Sequence, residues 1–288
     1  LILGWFTSRR RGLAMGIRQS AQPLGVAVAA LALPSLSARG LAAALTFLGG
    51  FCLAAAAVVA AVVRDPARAG IQAPRQPGSP YRTSVLWRIH AASALLVVPQ
   101  FAVATFALVF LVDQRGWPAA AAGSLLAAAA VAGAGSRLVA GLWSDRAGSR
   151  MRPMRILAVA IALVLLALVL AAVLRSGLAV PILVAAAALA VSTNGLAFTA
   201  VAEYAGSAWA GRALGIQNTG QNLLAVATPP VLALVIHGAG YPAAFAVAGL
   251  LPLAAAALVP VAAEGRTGLT AGPRAPVTAS APVTLESD

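Results

Sequence analysis

The chain has 288 residues, of which 61% are hydrophobic and only 9% charged, and its formal net charge is +13. So little polar surface excludes a soluble globular domain of this length. One cysteine, Cys52, and two distant histidines, His90 and His237, offer no disulfide framework, metal site or catalytic triad.

Long apolar stretches recur, each able at about 1.5 Å per residue to cross a hydrocarbon core of about 30 Å. They predict eight spans, at approximately 12–35, 41–63, 86–111, 119–143, 154–174, 178–201, 211–236 and 241–262. Most connections are short. Asp65 to Ser84 is a longer linker carrying Pro, Gly and Arg, and the tail after Glu264 is rich in Pro, Thr and Ala and predicts disorder.

All 20 basic residues are arginine, and they alternate between the two ends of the spans. One side collects fifteen: Arg9, Arg10, Arg11, Arg64, Arg68, Arg75, Arg82, Arg88, Arg146, Arg150, Arg152, Arg155, Arg212, Arg266 and Arg274. The other side has three, Arg39, Arg115 and Arg175, while Arg18 and Arg137 fall inside spans. The positive-inside rule assigns the rich side, and with it the C-terminus, to the cytoplasm of a cell whose plasma (inner) membrane holds the protein. The positive charge is dispersed over membrane-edge loops, which suits anionic lipid headgroups and calls for no nucleic-acid partner.

The densest of these loops is Gly141-Leu142-Trp143-Ser144-Asp145-Arg146-Ala147-Gly148-Ser149-Arg150-Met151-Arg152. Gly148 suits the left-handed angles of a sharp helix-to-helix turn, and Asp145 can compensate the partial positive charge of a helix N-terminus. Such an acid can latch one helix end against another. The run resembles the Gly-x-x-x-Asp-Arg-x-Gly-x-Arg-x-Arg signature of the major facilitator superfamily, in which Gly141, Asp145, Arg146, Gly148 and Arg150 would form a gating loop. The resemblance implies an all-α integral membrane bundle that moves a small solute by alternating access, with no cofactor and no enzymatic activity.

An internal repeat supports it. Residues 12–24 align without gaps to residues 211–223, with six of thirteen positions identical. The hairpin that follows repeats too, from Gly40 and from Gly240. Span one therefore matches span seven, and superfamily members are built from two six-span halves. With span seven second from the end of a twelve-helix protein, span one corresponds to helix five, which implies that helices one to four precede this chain. The division expected is 1–63 for the end of the first half, 64–85 for a cytoplasmic linker, 86–262 for the second half and 263–288 for a disordered tail.

Arg18 lies six residues beyond Gly12 and Arg137 eight residues before Asp145, about 9 and 12 Å along their helices. In the family those two helices face one another across the halves, so two guanidinium groups can approach one cavity, and a cation pair there calls for a small organic or inorganic anion. The spacing from Arg137 to Asp145 also looks like that of the substrate arginine in nitrate transporters of the superfamily. Equally, each arginine can bond to backbone carbonyls, pair with a carboxylate in the missing helices, or reach the cytoplasmic face. Gln22, Gln100, Asn194, Gln221 and Asn222 are the amides expected along the solute path, with Ser93, Thr193, Gln217 and Asn218 near them. Any one of these can instead cross-link helices.

Gly12-x-x-x-Gly16 and Gly211-x-x-x-Gly215 permit close helix approach. Pro23 and Pro229-Pro230 are candidate kinks. No carboxylate lies inside a span, so proton coupling has no candidate acid here, and His90 reads as an interfacial histidine and not as a proton relay. The Gly133-x-Gly135 pair lacks the third glycine of a dinucleotide loop, because Leu138 stands there. A truncated, non-transporting membrane protein or scaffold is the alternative to a carrier.

Overall fold

The computed structural model describes residues 2–64 and 78–264. Most of the linker, with Asp65, Arg68 and Arg75, and the tail, with Arg266 and Arg274, lie outside the described residues.

Among the described residues every element is helical: α1 (Ile2–Trp5), α2 (Arg11–Ser37), α3 (Leu41–Val62), α4 (Ser84–Val109), α5 (Ala119–Ala147), α6 (Met151–Val173), α7 (Ala179–Ala190), α8 (Asn194–Leu258) and α9 (Val261–Glu264). A 3-10 turn, Ser8–Arg10, leads into α2, another, Pro80–Arg82, precedes α4, and a π turn, Phe110–Gln114, ends α4. Six helical runs are long and apolar enough to cross a membrane, the last being Ala179–Glu264. That last run is folded. Gly206 (φ 72°) and Gly240 (φ 80°) leave the helical region inside α8, a conformation that glycine reaches without a Cβ penalty. A straight helix would hold residues 194 and 221 about 40 Å apart, yet Gln221 Nε2 lies 3.5 Å from Asn194 Oδ1. The chain has doubled back at Gly206.

It doubles back again at Gly240. Gln217 meets His90 near the start of α4, Tyr241 and Phe245 pack on Phe110 at its far end, and the Leu258 carbonyl accepts from Arg88 Nε at 3.0 Å, back at the start. The limbs 194–205, 207–239 and 241–258, with α7 continuing into the first of them, therefore make three passes, in accord with the eight spans of the sequence.

Three details differ from the sequence reading. Span six is discontinuous, because residues 191–193 form turns between α7 and α8. Helical angles persist through Pro229-Pro230, the breaks in α8 falling at the two glycines. Ala263 and Glu264 belong to α9 and not to a disordered tail, since the Glu264 carboxylate is held at the N-terminus of α6 by the Arg150 and Met151 amides.

The core lies between α4, α6 and the limbs of α8, where Leu86, Ile89, Leu96, Met154, Ile161, Leu165 and Phe245 are almost wholly buried. Gly249 brings the third limb against α6, where an added Cβ would stand 3.1 Å from Leu165 Cβ. α3 buries no residue.

α2 meets α5 backbone to backbone. A Cβ on Gly12 would lie 2.6 Å from the Gly141 carbonyl oxygen, and one on Gly16 would lie 2.7 Å from that of Arg137. Gly211 and Gly215, their counterparts in the repeat, have nothing within 4 Å among the described residues. Gly12→Ala and Gly141→Ala are therefore expected to destabilise this chain by ~1–3 kcal/mol and to lower its melting temperature in detergent, whereas Gly215→Ala leaves it unchanged. Equal melting temperatures for all three variants would contradict this packing.

Candidate functional site: an interhelical latch and a polar cavity

At the arginine-rich face, the loop after α5 holds two parts of the chain together. Gly148 caps α5 in the left-handed conformation (φ 59°, ψ 24°), which turns the chain sharply and places Asp145 and Arg150 side by side. Asp145 accepts the Gly12 amide at 2.9 Å on Oδ1 and the Leu13 amide at 2.8 Å on Oδ2. It thus caps α2 from another helix and opposes the partial positive charge there.

Arg150 compensates that carboxylate. Its Nη1 donates to Asp145 Oδ1 at 2.6 Å and to Ser144 Oγ at 2.8 Å. Its Nε and Nη2 grip Glu203 at 3.1 and 3.2 Å, and Nη2 also reaches the Ser8 carbonyl at 2.6 Å. Burial alone works against this charged form, but the bonds and charges of Glu203 and Asp145 outweigh it and hold the guanidinium above its ordinary pKa. Arg11 adds a longer pair with Glu203 at 3.7 Å. Arg146 is exposed, and Gly141 supplies the close approach to Gly12. Sequence reasoning missed Glu203 and Glu264; their positions at span ends, beside arginine-rich loops, were the available signal.

The second feature lies inside the bundle. Arg18, Gln22, Gln100, Asn194, Gln221 and Asn222 line one cavity of about 230 Å³, together with Gln19, Asn218, Phe101 and Phe198. A neighbouring chamber of about 180 Å³ is mainly apolar and is lined by Arg137, Val191, Leu126 and Ala130. Gln22, Gln100 and Phe101 border both chambers. A larger cavity of about 790 Å³ opens among the latch charges, but Asp145, Arg150 and Glu203 are already paired with one another.

The two intramembrane arginines occupy different environments. Arg137 is 1% exposed and is engaged on all three nitrogens: Nε donates to the Val191 carbonyl at 2.9 Å, Nη1 to the Gln19 carbonyl and Nη2 to Gln22 Oε1 at 3.1 Å. It takes up the carbonyl freed where span six unwinds. Arg18 is exposed, makes no ion pair among the described residues, and has only Met15 Sδ at 3.8 Å as a polar neighbour. The arginines therefore do not form a cation pair here.

The amides line the cavity and also join helices. Asn194 Nδ2 donates to Gln100 Oε1 at 2.8 Å, Gln100 Nε2 to Gln22 Oε1 at 3.5 Å, and Gln221 Nε2 to Ser93 Oγ at 2.6 Å. Gln22 and Gln221 are counterparts in the repeat, and they meet on one cavity. No group of His, Cys, Asp and Glu able to hold a metal occurs among the described residues.

Fold and site together define a multi-pass helical membrane bundle, and comparison with known sequences agrees. The profile of the Major Facilitator Superfamily matches residues 1–229, and the chain belongs to that superfamily. It is 50% identical over 258 residues to the uncharacterised MFS-type transporter Rv2994 of Mycobacterium tuberculosis (strain H37Rv), and 49% identical to MT3072 of strain CDC 1551. Each match covers 88% of this chain and 58% of the relative, so the chain spans less than two thirds of these relatives' length.

The latch gives a direct expectation. Asp145→Ala removes the cap at a cost of ~1–2 kcal/mol, so hydrogen exchange at the Gly12 and Leu13 amides should accelerate roughly 5- to 30-fold. Arg150→Leu leaves two carboxylates facing each other and should cost more, ~3–5 kcal/mol, read as a larger fall in melting temperature. A variant order reversed from this would remove Arg150 from the centre of the latch.

Proposed function

We propose that this chain is the larger part of a secondary transporter of the plasma (inner) membrane, with the arginine-rich face and the C-terminus in the cytoplasm, and that its solute is a small organic or inorganic anion. The observation that carries the substrate class is Arg18. It brings an exposed guanidinium to a cavity whose other polar lining residues are all amides, with no carboxylate lining it among the described residues. A guanidinium fork matches the geometry of a carboxylate or oxyanion, and the amides supply orienting donors and acceptors. Arg137 supports the wall by holding Gln22 and the carbonyls of Gln19 and Val191.

The latch supports alternating access. Asp145 and Arg150 tie α2, from the first half, to α5 and α8, from the second, so their separation is the opening of the cytoplasmic side. The bare length of α3 and the uncovered Gly211–Gly215 face are where we place helices one to four, in keeping with the greater length of the two relatives. Transport ranks above a non-transporting scaffold because Arg18, a charge within a span that costs ~2.5–3.5 kcal/mol on insertion scales, has no carboxylate partner among the described residues.

Uptake of a panel of organic and inorganic anions into proteoliposomes, using the protein encoded by the full reading frame, tests the proposal. Arg18→Gln should reduce uptake of the accepted anion at least about tenfold, the loss of one charge-assisted bond of ~1.5–3 kcal/mol, while melting temperature is kept. Arg137→Gln should lower melting temperature as well. Unchanged uptake of every accepted solute in Arg18→Gln would sink the anion reading.

A further inference from the structure

A chain of hydrogen bonds runs from the arginine-rich edge of the bundle to the cavity. Tyr81 Oη lies 3.0 Å from His90 Nε2, and His90 Nδ1 lies 2.5 Å from Gln217 Oε1. Gln217 Nε2 then donates to Ser93 Oγ, which also accepts from Gln221 Nε2 at 2.6 Å. Gln221 leads on to Asn194 Oδ1 at 3.5 Å, and Asn194 to Gln100 at 2.8 Å. Gln217, Ser93, Gln221, Asn194 and Gln100 are all buried, and His90 is half-buried.

The direction of each bond is dictated by its neighbour. A primary amide has one acceptor oxygen and one donor nitrogen. With Gln217 giving its nitrogen to Ser93, its oxygen must accept a hydrogen bond from His90 Nδ1–H, and Tyr81 then donates to Nε2. Neutral imidazole has a second tautomer, with the proton on Nε2. In that form Nδ1 is an acceptor and would oppose the Gln217 oxygen at 2.5 Å. Gln217 must then turn its amide over, present its oxygen to Ser93, and commit the Ser93 hydroxyl as a donor. Protonated imidazole carries both N–H groups and permits only the first arrangement, with the Tyr81 hydroxyl turned to accept.

We propose that His90 is the proton-sensing end of this chain: taking up a proton at Nε2 from the arginine-rich face locks Gln217 as a donor to Ser93, whereas loss of that proton frees Gln217 to turn over and the Ser93 hydroxyl to donate to it, leaving Gln221 the one amide that still donates to Ser93. The cavity is thereby linked to protons without a carboxylate inside a span.

Aromatic and amide groups surround the His90 imidazole. On its own helix, Trp87 packs edge-on, and Arg88 is turned to the Leu258 carbonyl at 3.0 Å. From the turn before α4 comes Tyr81, stacked on the ring, with Arg82 exposed beside it. From the first limb of α8, Tyr204 Oη lies 3.4 Å from Thr83 Oγ1. From the second limb come Gln217 and Trp209, the latter covered by Arg212 at 5.2 Å. No carboxylate pairs with His90 among the described residues, the ion pairs there all lying in the latch.

The test follows side-chain amide and imidazole resonances of the full chain in lipid nanodiscs as pH is varied. In the wild type, the Gln221 amide signal should shift with the midpoint of the His90 imidazole. In Gln217→Leu and in Ser93→Ala, either of which cuts the chain, His90 still titrates but the Gln221 amide no longer follows it, and in His90→Gln it does not titrate. A Gln221 amide that stays flat in the wild type, that follows His90 in both cut variants, or that titrates without His90 would overturn the proposal. Because no solute is used, this experiment can fail while the anion reading stands, and the reverse.

Discussion

Arg150 is the group on which the relative placement of α2 and α5 depends. One guanidinium balances Asp145 and Glu203 at 2.6 and 3.1 Å, and this lets Asp145 sit buried with both oxygens on the N-terminus of α2. An isolated buried carboxylate would be expelled or neutralised. With the carboxylate held, Gly12 and Gly16 settle against the backbone of α5, and that contact sets how far α2 stands from α4. Gln22 on α2 and Gln100 on α4 are just within reach of one another at 3.5 Å. The width of the cavity is thus fixed from the arginine-rich end, by an ion pair about two helical turns away from the Arg18 guanidinium.

Much of this architecture was legible in the sequence because it rests on strong local signals. Apolar length marks the spans, arginine counts mark the two faces, and the Asp145–Gly148 turn carries its geometry in its residue types. The gathering of Gln22 and Gln221 on one cavity was legible only through the repeat, since nothing local places residues 199 positions apart together. What escaped sequence reading depends on tertiary partners. The unwinding at residues 191–193 has no proline or glycine to announce it; it persists because Arg137 accepts the role of donor to the Val191 carbonyl. Glu264 looked like the start of a tail, yet its side chain finds the N-terminus of α6. Nothing local in the sequence pairs His90 with Gln217, 127 positions further on.

Polar groups in so apolar a chain are arranged by satisfaction more than by charge. Buried amides offer both a donor and an acceptor, so they can be linked in series with nothing left over, at a net gain of ~0.5–1.5 kcal/mol per bond. A buried carboxylate would demand a countercharge at each point. The exceptions fall where the helix unwinds: Ser192 Oγ and Thr193 Oγ1 are buried without a hydrogen-bond partner, a deficit of roughly 1–3 kcal/mol each. The least satisfied buried side chains among the described residues therefore border Asn194 and the cavity, where rearrangement costs least.

The repeat also shows how one ancestral position can carry two kinds of chemistry. Arg18 and Gln217 occupy equivalent places in residues 12–24 and 211–223. An arginine at 217 could only donate, so it would deny His90 Nδ1 an acceptor and would repel the imidazolium; the amide accepts from the imidazole and passes a donor on to Ser93. A glutamine at 18 would keep the hydrogen bonding of the cavity and lose its charge. The divergence of this single pair separates the two tasks, leaving a cation exposed to the cavity from the α2 side and a neutral relay on the α8 side, and it keeps the two positive charges from sharing one low-dielectric space, where their repulsion would be weakly screened.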